Sequence, residues 1–211
     1  QILPNREWVS LSEKIRVMCI CDYYQDAIIL IDINGRLLIN TNDAIDRGWG
    51  RFARGVANNY RIKFLLALFG HGDADMINFF DDKGKFIEPK AAKKLPVGIT
   101  MARAAESWRA NYVIPFSSMH RYQRTDSAWA NEYVTDLADY KIGFDSKTVT
   151  LLPAYIRFDC EADIVEQIDP EEEDDVVYGP EHFGDDWNEE LSADESASAV
   201  SYVQKIQHLN T

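Results

Sequence analysis

The chain has 211 residues, 46% hydrophobic and 27% charged, with a formal net charge of −13. That length can bury a real core, and the composition excludes a disordered polymer. No apolar run approaches the roughly 18 to 20 residues that cross a bilayer, and no basic stripe interleaved with aromatics suits a nucleic acid, so neither a membrane nor a nucleic-acid partner is expected.

The charge is unevenly spread. Residues 159 to 195 hold 17 of the 35 acids and no Lys or Arg, whereas residues 1 to 158 hold 18 acids against 21 bases. The expected organisation is therefore a near-neutral body over 1–158, followed by an acidic segment and C-terminal helix over 159–211 packed on it. The acidic run reads as a solvated surface, because dense like charges repel and resist packing; a lid, a partner surface or a cation site is the alternative.

The opening "QILPNREW" has neither the basic nor the apolar region of a signal peptide. Cys19 and Cys21 share one face of a strand-like run, which disfavours a disulfide between them and suggests a reducing, cytoplasmic setting. Both are expected as buried small apolar residues, with a Cys-x-Cys metal half-site as the rival.

Along the chain, "WVSL", "KIRVMCIC", "AIILIDI" and "RLLIN" alternate like antiparallel strands, and Asn34-Gly35 between the last two is a strong hairpin signal. The period then changes: "AIDRGWGRFARGVANNY" places Ile45, Trp49, Phe52 and Val56 on one helical face, with Asn42 or Asp43 as N-cap. "KFLLALFG" reads as a strand covered on both faces, and a second helix starts near Pro96 with Ile99, Ala102, Ala105 and Trp108 in register. "YVIPF" is a further strand. "TVTLLPAYIRFDC" and "DIVEQI" read as a closing pair of strands with Pro153 at a bend or edge, and a last helix over 193–208 turns Val200, Val203, Ile206 and Leu209 to the body. The expected class is α/β, a mixed sheet built from a β-hairpin and then β-α-β units.

Polar residues collect where apolar strands end, the place where open α/β sheets build their sites. Four such points are Asp22, Asn40 to Asp43, His71 to Asp75, and Ser117, Ser118 and His120. Carboxylates and imidazoles converging there suit a hard or borderline cation. Each has a plainer reading: Asp43 as a helix cap, Asp22 as a turn residue, His120 as a hydrogen-bonded loop histidine, and His71, Asp73 and Asp75 as a Gly-flanked turn. Those last three with the late acidic run could also serve a cation-responsive binding protein.

The stretch "EWVSLSEKIRVMCICDYYQDAIILIDINGRLLINTNDA", with "YVIPFSSMHRYQRTDS" much later, resembles the second half of metallo-β-lactamase-fold proteins. The likeness is to the branch containing the metallo-β-lactamase-like domain of CMP-N-acetylneuraminate hydroxylase and, more distantly, to ascorbate-6-phosphate lactonase-type proteins. It implies half of an αββα sandwich with one or two divalent ions (Zn, Fe or Mn) at its edge. Asp43 matches the family's metal-ligating Asp, Asp22 falls where many members have a ligand His, and His120 lies near the last ligand His. The resemblance puts His71, Asp73 and Asp75 at the pocket wall, as substrate contacts or support for the metal ligands.

The family's His-x-His-x-Asp-His loop belongs to the other half, and this chain has four histidines and no His-x-His. The remaining ligands are thus expected from an N-terminal half, in the same or another polypeptide, this chain being a C-terminal fragment inactive alone. The implied activity is metal-dependent hydrolysis or iron-dependent oxygenation of a polar, sugar- or nucleotide-like small molecule, with Arg121 and Arg124 anchoring an anionic group. The rival is a non-catalytic module that binds a partner chain through its acidic segment.

Overall fold

The computed structural model describes residues 2–24, 26–70, 80–81, 83–88, 96–116, 121–169, 176–184 and 189–209. They divide into two compact units, Gln1–Arg121 with Ala130–Glu173, and Tyr122–Trp129 with Asp174–Thr211.

The first unit carries a seven-stranded sheet of β1 (Val9–Ser10), β2 (Ile15–Cys21), β3 (Ala27–Ile33), β4 (Arg36–Asn40), β5 (Ile62–Ala67), β6 (Tyr112–Pro115) and β7 (Thr150–Leu151), paired in sequence order. The pairs from β1 to β4 are antiparallel and those from β4 to β7 parallel. The protein is therefore α/β with a mixed sheet, hairpins first and parallel crossovers after. Asn34 and Gly35 have φ of 50° and 80°, the two positive values a type I′ turn needs. This turn pairs Ile33 with Arg36 and Leu30 with Ile39.

Parallel neighbours need a crossover, and α1 (Gly50–Ala57) and α2 (Val97–Ser107) provide the helices of two. Strand alternation sends Met18, Ile20, Ile28, Leu30, Leu37, Ile39, Leu65 and Val113 into one core with Ala53, Ala57, Met101 and Ala105 of the helices. The alternate residues form the other face. There Phe64, Ile114 and Leu152 make a smaller cluster with Ile62, Leu66, Tyr112, Ile156 and Phe158. The last two belong to a separate hairpin of β8 (Ile156–Asp159) and β9 (Ile164–Gln167). The expected closing pair is β8 with β9; Pro153 falls between β7 and β8, and the pair forms its own two-stranded sheet rather than extending the seven-stranded one.

α1 departs from the sequence pattern. It starts at Gly50, after Trp49 rather than an Asn or Asp cap, and its buried positions are Gly50, Ala53 and Ala57. Ile45 lies outside it at 56% exposure, and Phe52 is 38% exposed. Small residues win because they let the helix backbone approach the sheet closely. α2 follows its expected register, with Ala102, Ala105 and Trp108 buried.

In the second unit, Thr125 and Tyr178 exchange backbone contacts with Tyr178 and Gln123, at 2.9 and 2.7 Å, and Tyr178 stacks on His182. α3 (Ala193–Leu209) begins with a capping box in which the Glu195 carboxylate accepts from the Ser192 N–H at 2.8 Å. Val200, Val203 and Ile206 of α3 are exposed, with Ser196, Ser198 and Ser201 interspersed. No helix among the described residues is long and apolar enough to cross a membrane.

Candidate functional site

β3 runs antiparallel to both its neighbours, so β2 and β4 point the same way, and β5 and β6 run parallel to β4. The carboxyl ends of all four strands therefore meet one edge of the sheet. Cys19, Ile29, Asn40, Leu66 and Ile114 form a single row across it. Asp22 follows β2 at this edge, and Thr41, Asn42 and Asp43 follow β4. The segments holding His71, Asp73 and Asp75, and His120, come after β5 and β6 but lie outside the described residues.

Asp22 closes the turn from β2 to β3. Its Oδ1 accepts the N–H groups of Tyr24 and Asp26 at 2.7 and 3.0 Å, which is why an Asp suits this position. Its side chain is only 3% exposed, and Oδ2 has no hydrogen-bond partner among the described residues. Arg47 Nε stands 3.9 Å from that oxygen. Arg47 also donates to Asp26 Oδ2 at 3.1 Å and to the Asp43 carbonyl at 2.6 Å, and its guanidinium lies 5.3 Å from the centre of the Tyr24 ring.

Asp43 sits in a short 3-10 helix, Asn42–Ala44, preceded by Thr41. Thr41 is buried and its N–H donates to the Leu66 carbonyl at 3.0 Å, tying the end of β4 to β5. Asp43 is exposed and does not cap α1, which begins seven residues later. The backbone around it is strained: Asn42 has φ 38°, and Ile45 has φ 53° with ψ −105°. A β-branched residue in this region is a true outlier.

The structure thus brings Asp22 and Asp43 to one edge with Asp26 and Arg47, two residues that the sequence reading did not single out. Arg47 lies four residues after Asp43, a spacing that could have flagged it; the Asp26 link depends on the fold. Arg121 is ion-paired with Asp136, which also caps the 3-10 helix Leu137–Lys141 through a capping box with Asp139. Arg124 belongs to the second unit, where it pairs with Asp126 at 2.8 Å and lies 5.9 Å from the Phe183 ring centre.

As a fit test for a divalent ion, the buried unsatisfied Asp22 Oδ2 is a suitable oxygen donor, and Asp43 is a second carboxylate on the same edge. Among the described residues, no group of three or more His, Cys, Asp or Glu is gathered to hold a metal. Two carboxylates alone make a weak site, and Arg47 already offsets part of their charge.

A cleft of about 710 Å³ begins at Pro115, the last residue of β6, and is lined also by Tyr140, Lys141, Phe144, Leu152 and Tyr155. Tyr140 is fully buried and its hydroxyl lacks a partner among the described residues. Burial, with the Asp139 charge adding to it, pushes its phenol up to about 12. At the opposite end of β3, Asp32 Oδ2 accepts from Arg16 Nε at 2.8 Å and from the Tyr60 hydroxyl at 2.9 Å, while Oδ1 accepts the Gly35 N–H. Burial alone would raise the Asp32 carboxyl, but these donors, Arg16 first, hold it below its ordinary range.

No family model matches the chain, and the searches of curated proteins and of solved structures likewise return no match.

Proposed function

We propose that the chain is the C-terminal half of a metallo-β-lactamase-like αββα sandwich, contributing carboxylate ligands to a divalent-metal site that acts on a polar small molecule. The observation carrying this reading is the sheet edge where β2, β4, β5 and β6 all end, with the buried Asp22 Oδ2 unsatisfied there. Support comes from the strained backbone at Asn42 and Ile45 on either side of Asp43, since such strain concentrates at functional sites. The face of the sheet away from α1 and α2 adds to it. Ile29, Ile31, Ile33 and Leu38 are half-buried there, an apolar layer suited to a second sheet.

In this reading Asp43 and Asp22 are ligands, His120 a further one, and His71, Asp73 and Asp75 wall the pocket. A bound ion would supply an activated water, or dioxygen activation if it is iron. Arg121 would reach an anionic substrate by exchanging its present partner Asp136. The test is zinc or manganese uptake by equilibrium dialysis of a Cys19→Ser/Cys21→Ser chain. Uptake that falls in Asp43→Asn and Asp22→Asn supports the site, and uptake unchanged in both variants overturns it.

Arg47 favours a second reading. A resident guanidinium at the carboxylate edge fits a half-fold that has replaced its metal with an internal cation and serves as a non-catalytic module for a partner chain. Unchanged thermal stability with every divalent ion, together with capture of an N-terminal half-domain, would select it.

A further inference from the structure

Cys19 and Cys21 do not sit in the core. The face of β2 that enters it carries Met18 and Ile20, whereas Cys19 is half-buried and Cys21 exposed. Alternation puts both thiols on the opposite face, with their sulfurs 3.8 Å apart. That separation distinguishes two uses of a thiol pair.

A disulfide requires sulfurs at about 2.05 Å and Cα atoms no more than about 6.8 Å apart. Two residues along a strand already span roughly 6.6 to 6.8 Å, the upper limit, so closing the bond would shorten the strand. β2 resists shortening because both sides are pinned. Cys19 and Cys21 pair with Ile29 and Ala27 of β3. On the other side Arg6 N–H donates to the Cys19 carbonyl at 2.7 Å, and Cys21 N–H donates to Asn5 Oδ1 at 3.0 Å.

A tetrahedral thiolate site needs no such contraction. Two sulfurs each about 2.3 Å from a zinc ion, at the tetrahedral angle, stand about 3.8 Å apart. We propose that Cys19 and Cys21 form a two-thiolate site for a thiophilic divalent d10 cation, zinc or cadmium, with solvent completing the coordination through the exposed Cys21 side. On binding, two S–H bonds break, two metal–sulfur bonds form, and two protons pass to solvent. Soft sulfur ligands select such ions over magnesium or calcium. Its ligands are the β2 thiols rather than the carboxylates proposed after β2 and β4, although Cys21 adjoins Asp22 in the chain.

The test is titration of the reduced full chain with cadmium chloride, read by the ultraviolet sulfur-to-cadmium charge-transfer band. The expected result is one cadmium per chain, with the band lost in Cys19→Ser and in Cys21→Ser and unchanged in Cys160→Ser and Asp43→Asn. Circular dichroism of the serine variants shows whether they remain folded. The proposal is overturned by a band that survives either single serine variant, by its loss in folded Cys160→Ser, by one cadmium per two chains, or by no band when all three thiols titrate as free. A Cys19–Cys21 disulfide in the protein as purified also overturns it, in favour of a redox pair.

Discussion

The Arg47 guanidinium donates to the backbone carbonyl of Asp43 at 2.6 Å, so the residue after β4 proposed as a ligand is held by its neighbour one turn on. The same guanidinium bonds to Asp26 at 3.1 Å and stands 3.9 Å from the buried oxygen of Asp22. One side chain thereby joins the turn after β2 to the turn after β4.

Arg47→Ala should therefore destabilise the fold by about 1 to 2 kcal/mol, the value of charge-assisted hydrogen bonds reduced for Arg47 being partly exposed. Denaturant unfolding at neutral pH measures this. A loss no larger than that of an exposed arginine such as Arg51 would show that the link carries no stability.

Asp32→Asn should cost about 2 kcal/mol at pH 7, because Arg16 and Tyr60 lose their charged acceptor. The folded carboxyl is held low, so its contribution is complete above the unfolded value near 4 and disappears as pH falls through the folded value. The gap between wild type and variant should narrow below pH about 4 in denaturant melts; a gap independent of pH would mean that charge is not the cause.

Two glycines should respond oppositely to alanine. A Cβ at Gly98 would meet the Ile142 carbonyl at 2.5 Å and the Phe144 nitrogen at 2.7 Å. Those are backbone atoms with little room to yield, so Gly98→Ala should cost about 1 to 3 kcal/mol. Gly55, within α1, has nothing among the described residues within 4 Å of its Cβ position, and Gly55→Ala should stabilise by about 0.5 to 1 kcal/mol. Thermal melts of the two variants check the pair.

Tyr140→Phe removes a buried hydroxyl without a partner and should be neutral or stabilising by up to about 1 kcal/mol at pH 7. At alkaline pH the difference should widen. The folded phenol is pushed up to about 12 while the unfolded one ionises near 10, so wild-type stability falls by about 1.4 kcal/mol per pH unit between those values. The variant lacks that loss, which urea melts at pH 9 and pH 11 should reveal.

The hairpin was legible because Asn34-Gly35 and the alternation of Ile28, Leu30, Leu37 and Ile39 agree on one register. Asp22 and Asp43 were legible as strand-end carboxylates. α1 was misread in part: Trp49 and Val56 do pack against the core, but Ile45 and Phe52 are exposed and the fully buried positions are Gly50, Ala53 and Ala57. Small residues give almost no hydrophobic signal. The Arg47–Asp26 and Arg121–Asp136 links were invisible because they bring together residues 21 and 15 positions apart, and only the fold sets that proximity.

The Asn34-Gly35 turn lies at the opposite end of the sheet from the carboxylates, yet it governs them. A single residue inserted there would shift β4 against β3 by one step, rotating Leu37 and Ile39 out of the core and the chain entering Asp43 to the other side. The two-residue turn thus acts as a ruler, setting across the 5 residues of β4 on which side of the sheet the Asp43 segment emerges.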